Sequence, residues 1–244
     1  LSFSYADEPE TTVLDNLSLI IEPGEKVAFF GGDGSGKSTV VKILTGLYGV
    51  EQGEYLLNDI PTKELNRGQL KKKLSIIFQD FINYHFSLQE NIVISGQRKK
   101  VNKELYDTVI ETAGVNKFKK VVHVDDESIL GKTFPSGKEL SPAYWQRLAI
   151  ARMLYRNKSI FIMDEPFTYV DNKSGENILE NIFRYLGGEK SLIYITRNIS
   201  LLDKFDRIYY FKGGKIVEFG SWNELIKVKG MFYQEFIQQK SDKE

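Results

Sequence analysis

The sequence has no cysteine among its 244 residues, which rules out disulfides and thiolate chemistry. That fits a reducing compartment without requiring one. Histidine is nearly as scarce, and both copies, His85 and His123, read as surface or loop residues. No sign of charge dominates: 33 Lys and Arg balance 33 Asp and Glu. A zero net charge gives no overall basic field for nucleic acid or an anionic membrane surface. No apolar run approaches the length of a membrane span, and no signal peptide is visible. Internal repeats and low-complexity linkers are missing too. The chain begins at Leu1, inside what reads as a strand, so we expect a fragment of a longer polypeptide.

What is present fits an ordinary globular chain, long enough for one large domain or one domain with a subdomain. Leu17–Ile21 and Lys26–Phe30 read as strands broken by Pro23-Gly24. Thr39–Leu47 reads as a helix with an apolar face from Val40, Val41, Ile43, Leu44 and Leu47. Gly53–Leu57 and Leu74–Phe78 read as further strands. Residues 91–120 are polar and helix-like. A helix starts after Pro142, in whose first turn a proline is tolerated. Ile160–Met163 and Ser191–Ile195 are strand-type runs around a helical stretch near Ile178–Leu186. Ile208–Phe219 reads as a hairpin turning at Gly213-Gly214. Strands alternating with helices predict an α/β fold with a mainly parallel sheet. The polar middle, 80–158, is the expected inserted helical subdomain.

Chemistry enters with GGDGSGKST, Gly31 to Thr39. Gly31, Gly36, Lys37 and Ser38 match the pattern G-x-x-x-x-G-K-[ST] between an expected strand and an expected helix. Glycines let backbone N–H groups close around phosphate oxygens, and the following helix points its positive end at them. Lys37 adds a full charge near the β- and γ-phosphates, and Ser38 offers a hydroxyl to Mg²⁺. The predicted ligand is ATP with Mg²⁺, contacted by Gly32, Asp33, Gly34, Ser35, Gly36, Lys37, Ser38 and Thr39. A random chain of this length matches the pattern on the order of one time in a hundred. The second element is IFIMDE, an apolar strand ending in Asp164 and Glu165. Asp164 would help hold Mg²⁺, and Glu165 would orient and polarise an attacking water. A strand end that merely reaches solvent is the alternative, which the phosphate loop disfavours.

In order and spacing these elements resemble the nucleotide-binding domain of an ABC transporter, over essentially the whole chain. The resemblance implies a P-loop NTPase (RecA-like) core, 1–79 and 159–244, with an antiparallel β subdomain, and a helical signature subdomain at 80–158. It implies that Tyr5, in Phe3-Ser4-Tyr5, stacks on adenine. Gln79 matches the glutamine that touches Mg²⁺ and faces the membrane domain. Glu90-Asn91-Ile92 resembles a family segment, Leu140-Ser141 opens the signature motif, and Asp171 falls at the D-loop aspartate. Taken alone, Tyr5 would read as an edge-strand aromatic and Gln79 as a loop amide; their spacing from Lys37 and Glu165 reverses both. The tail EFGSWNELIKVKGMFYQEF is similar to exporter-type domains, and FQDFINYHFSLQENI with WQRLAIAR to bacterial peptide or lanthipeptide exporters. The implied partners are a transmembrane domain on the same polypeptide and a second nucleotide-binding domain, with no nucleic acid. The implied location is the cytoplasmic face of the cell membrane.

Two departures stand out. The usual signature LSGGQ reads here Leu140-Ser141-Pro142-Ala143-Tyr144. In the family it caps the γ-phosphate of ATP held by the opposite subunit. Pro142 has no N–H to donate, and Ala143 adds a Cβ where backbone must approach closely. The switch histidine, expected after strand SLIYIT, is replaced by Arg197. A guanidinium suits phosphate oxygens but shuttles no proton; the alternative is a solvated charge that points away. A symmetric dimer would carry both defects twice. The retained Glu165 favours a heterodimer over a homodimer. The resulting expectation is a motor domain that binds and hydrolyses ATP; the other reading is an ATP-gated dimerisation switch with little turnover.

Overall fold

The computed structural model describes residues 1–50, 52–96 and 100–241. In chain order the strands and helices are β1 (Phe3–Ser4), β2 (Thr12–Leu14), β3 (Lys26–Phe30), α1 (Lys37–Leu44), β4 (Leu56–Leu57), β5 (Ile60–Pro61), α2 (Arg67–Lys73) and β6 (Leu74–Ile77). Then come α3 (Leu88–Val93), α4 (Lys103–Thr112), α5 (Val115–Val121), α6 (Pro142–Tyr155), β7 (Ile160–Asp164) and α7 (Asn172–Leu186). The chain closes with β8 (Ser191–Thr196), β9 (Arg207–Lys212), β10 (Lys215–Gly220), α8 (Trp222–Val228) and α9 (Met231–Ser241). These elements fall into two compact units, 1–74 with 188–244, and 75–187.

The first unit is built on strands in the order β10-β9-β3-β8. β3 runs parallel to both β8 and β9, and β10 returns antiparallel to β9. In β3 only Lys26 is partly exposed; Val27 to Phe30 are buried, as are all six residues of β8. Near-continuous apolar runs are what strands covered on both faces require. The β9–β10 hairpin turns at Gly213 and Gly214, at φ 56 and 76, the left-handed pair that a two-residue turn needs. A smaller hairpin, β4–β5, turns on Asn58 and Asp59, also left-handed. Leu17–Ile21 is not a strand. The Ile20 N–H and C=O both bond the Tyr209 hydroxyl instead of a neighbouring strand, and Ile20 is exposed.

The second unit packs α3, α4 and α5 against α6. Its core takes Leu88, Ile92, Tyr106, Val109 and Phe118 from the polar-looking stretch, and Leu148, Ile150 and Leu154 from α6. The expected helices at 91–120 are therefore three short ones whose apolar residues mostly turn inward, with Val121 at the end of α5 exposed. β6 and β7 lie side by side in this unit. The helix expected near 178–186 begins earlier, at Asn172, because Asp171 caps it by accepting from Ser174 N at 2.9 Å.

Candidate functional site

The loop between β3 and α1 is shaped by its glycines. A Cβ on Gly31 would stand 2.3 Å from the Phe211 carbonyl oxygen, so β9 leaves room for glycine only. Gly36 ends the loop at φ 100 and begins α1 with no side-chain cap. The opposite side of the loop is open, for a Cβ at Gly32 or Gly34 would meet nothing within 4 Å. The hairpin turn buttresses the loop from behind, with Gly214 N donating to the Ser35 carbonyl at 3.2 Å.

Lys37 is buried, and the loop wraps its ammonium. Nζ donates to the carbonyls of Gly31 at 2.7 Å and Gly32 at 2.8 Å and to Ser35 Oγ at 3.0 Å. Ser38, the next residue, is exposed, while Thr39 is buried. Helix α1 thus starts with a lysine ammonium held inside the loop and an exposed serine beside it. That combination suits phosphate oxygens.

Tyr5 lies beside this loop. Its hydroxyl is 2.9 Å from Thr39 Oγ1, and its ring meets Phe3 and Tyr48 edge-on at 5.1 and 5.3 Å. Lys42 Nζ stands 5.5 Å from the same ring. Arg197 follows β8 and also turns to the loop: its NH1 pairs with Asp33 at 3.1 and 3.4 Å from the two carboxylate oxygens. The guanidinium thus faces the loop rather than away from it. Both partners remain largely exposed.

The other predicted residues belong to the second unit. Gln79, two residues past β6, is exposed. Asp164 ends β7 and is buried. Glu165 follows in a left-handed conformation, φ 46, unusual for a residue with a Cβ and typical of functional turns. Its carbonyl accepts from Thr168 Oγ1 at 2.9 Å. The Asp171 carboxyl is held below its usual pKa by the Ser174 hydrogen bonds first and by the Arg147 charge last. Ser141 caps α6, accepting from Tyr144 N, and Pro142 takes the first helical position, where a missing N–H costs the helix nothing. Tyr144 stacks on Phe118 at 4.6 Å, which gives the bulky replacement in the signature a seat within its own unit.

Three partnerships were not expected. Gln146, buried in α6, accepts from Tyr169 N at 3.0 Å, joining the signature helix to the turn after Glu165. Asn91 donates to the carbonyls of Tyr84, Phe86 and Ser87, and Arg152 donates to Asn91 and Ile82 while lying 4.5 Å from the Tyr84 ring centre. These two side chains set the shape of segment 82–87. Gln239 in α9 binds the backbone on either side of Asn198. A buried amide such as Asn91 in an otherwise apolar helix face signals a partner, but does not name one.

A sequence profile of the ABC transporter family matches residues 14–168. The chain belongs to the ABC transporter family. This family binds ATP with Mg²⁺, and its members are translocating ATPases. The subtilin transport ATP-binding protein of Bacillus subtilis is 33% identical over 227 residues, 93% of this chain and 37% of that protein. The nisin transport ATP-binding protein of Lactococcus lactis subsp. lactis is 31% identical over 235 residues, 96% of this chain and 39% of that protein. The ABC transporter domain described here thus spans about two fifths of the length of these relatives. A bacterial Atm1-family ABC exporter, solved with ATP bound, superimposes with a TM-score of 0.88 over 98% of this chain and 40% of its own, at 24% identity. That likeness establishes the P-loop NTPase fold: a mainly parallel sheet with added antiparallel strands. The residues present fit the family's ligand. The loop's open side admits phosphates, and no three His, Asp or Glu side chains gather into a metal site among the described residues. Mg²⁺ needs no such cluster, since it is held by one or two side chains together with the phosphates.

Proposed function

We propose that this chain is the ATP-driven motor domain of an exporter, closing with a second such domain when ATP binds and parting after hydrolysis. The observation that carries the reading is the loop of residues 31–39, wrapped around Lys37 at the start of α1. Lys37 then neutralises the β- and γ-phosphates, and the first N–H groups of α1 hold the same oxygens. Bound Mg²⁺ spreads the phosphate charge; Ser38, Gln79 and Asp164 are the residues we assign to holding it. Glu165 orients and polarises the attacking water. Tyr5 takes the adenine, held upright by its bond to Thr39, and Arg197 meets the γ-phosphate in place of a histidine. Ser141 and Asp171 serve the partner's nucleotide.

Further reaches of the reading rest on the relatives. Subtilin and nisin transport, in the names of two of them, supports a peptide of lanthipeptide type as cargo. Their greater length supports a transmembrane domain on the same polypeptide, with this domain at the cytoplasmic face of the membrane. Segment 82–87, shaped by Asn91 and Arg152 and carrying exposed Ile82 and Phe86, suits the passage of motion to that partner. We assign the ATP-binding core to 1–79 and 159–244 and the signature-bearing part to 80–158, because Asp164 and Glu165 act on the nucleotide held by Lys37.

A second reading, an ATP-gated dimer clamp with little turnover, is favoured by Pro142 and Arg197. The weak signature favours a heterodimeric partner that supplies an intact one. Glu165→Gln separates the two readings when MgATP binding and phosphate release are both measured on the concentrated chain. A motor loses phosphate release by at least a hundredfold and keeps its ATP affinity, on the order expected for removal of a catalytic base. A clamp shows no release for the substitution to remove. Brisk hydrolysis by the unpartnered chain would overturn the crippled self-paired site.

A further inference from the structure

Helix α9 is fixed to the first unit at its start. The Glu218 carboxylate of β10 accepts from Met231 N at 2.6 Å and Phe232 N at 3.1 Å. Phe232 itself is fully buried, 5.6 Å from the Phe30 ring of β3 and 5.7 Å from Trp222. Two turns on, Gln239 faces the loop that follows β8. Its Nε2 donates to the Arg197 carbonyl at 3.1 Å, and its Oε1 accepts from Ile199 N at 3.2 Å. The same Nε2 donates to Glu235 Oε1 at 3.1 Å, one turn back on α9, which sets the amide's orientation. One side chain therefore spans the backbone of residues 197–199. At its other end Arg197 is held by Asp33 of the phosphate loop.

We infer that Gln239 and Asp33 are positioning residues for Arg197: the C-terminal helix braces the backbone of the switch loop while the phosphate loop steers its guanidinium. A long, flexible arginine in place of a compact histidine needs such guidance, because each freely rotating bond dilutes the productive geometry. Asp33 brings a like charge near the phosphates, which the guanidinium offsets. The inference rests on the reading that Arg197 meets the γ-phosphate. ADP has no γ-phosphate, so the preference for ATP over ADP is the quantity that these residues control.

The test is the ratio of MgATP to MgADP affinity, measured by equilibrium titration on the chain and on Gln239→Ala, Gln239→Glu and Arg197→Ala variants, singly and combined. Gln239→Glu keeps the acceptor for Ile199 N and loses the donor to the Arg197 carbonyl; it is made together with Glu235→Gln, which removes the carboxylate that would otherwise face it, and so serves where alanine loosens α9. Both Gln239 variants are expected to lower the ratio about three- to tenfold, the span of one lost hydrogen bond, with MgADP affinity and melting temperature unchanged. In the Arg197→Ala background neither is expected to lower it further. An unchanged ratio in both Gln239 variants overturns the inference and leaves the ATP-binding reading intact. A further fall in the Arg197→Ala background overturns it as well, because the effect then does not pass through the guanidinium. A wild-type chain that binds both nucleotides equally removes the underlying reading of Arg197 together with the inference.

Discussion

At the scale of single residues, charge decides most of the site. Asp33 places a carboxylate in a loop built for anions, and Arg197 lies 3.1 Å away to offset it. Exposed pairs of this kind contribute little to folding, about 0–1 kcal/mol. Their effect on a bound tetra-anion is larger, because removing the cation leaves both negative groups facing each other. Arg197→Ala is expected to weaken MgATP binding about ten- to a hundredfold, the range of a charge-assisted hydrogen bond. Asp33→Asn in that background is expected to recover about a third to a half of the loss, since the remaining repulsion disappears. Titrations at two ionic strengths check this: the gap between the single and double variants narrows as salt screens it.

Elements set what those residues can reach. Helix α6 starts at Ser141 with Pro142 in its first turn, and Tyr144 lies flat on Phe118. This start is sound as a helix and poor as a phosphate cap, because the proline removes a donor that the helix itself does not need. Replacing Pro142-Ala143-Tyr144 by Gly-Gly-Gln is expected to raise phosphate release by the concentrated chain about tenfold or more, by restoring the one missing N–H donor, worth roughly 1.5–3 kcal/mol to a charged group, and by removing the Ala143 Cβ from the close approach. No rise would place the defect elsewhere. Helix α3 offers a second case. Asn91 is fully buried and its amide serves three carbonyls, while its own carbonyl groups receive Arg152. Burial presses the Arg152 guanidinium's pKa downward, so these acceptors are what keeps its charge tolerable. Asn91→Ala is expected to destabilise the second unit by about 1–3 kcal/mol, the usual cost of orphaned buried polar groups. Urea unfolding followed by Trp145 fluorescence in a Trp222→Phe background measures it.

At the scale of the whole molecule, the two units carry different stabilising chemistry. The first is held by apolar strands. The second also relies on a part-buried cluster in which Asp126 accepts from Lys119 at 2.6 Å and from Tyr106 at 2.5 Å. Burial works against the Asp126 carboxylate, but these hydrogen bonds and the Lys119 charge outweigh it and leave the pKa below the usual value. A depressed folded-state pKa gives stability that is present above the unfolded value, about 3.9, and is lost as pH falls through the folded one. Asp126→Asn is therefore expected to be less stable than wild type by a constant margin from neutral pH to about pH 5, a margin that closes below about pH 4. Urea midpoints across that range, read from Trp145, test the sign.

The parts legible in the sequence are those made by neighbours along the chain. Strand β3, Gly31 to Ser38 and helix α1 follow from apolar runs, glycine spacing and a loop that closes on itself, since Lys37 bonds carbonyls five and six residues back. The hairpin at Gly213-Gly214 is likewise local. The strand expected at Leu17–Ile21 failed at Ile20, whose backbone is taken by the Tyr209 hydroxyl, 189 residues away. The same distance along the chain hides the rest. Arg197 reads from sequence as a lost histidine; that it pairs with Asp33, 164 residues before it, is decided by the parallel register of β3 and β8, which brings both loops to the same end of the sheet. Gln239 reads as one polar residue in a C-terminal helix, and only the docking of Phe232 against Phe30 turns its amide to residues 197–199. Local hydrogen bonding and steric freedom wrote the phosphate loop into the sequence; which side chains stand guard over it was left to packing, because partners far apart in the chain leave no spacing to read.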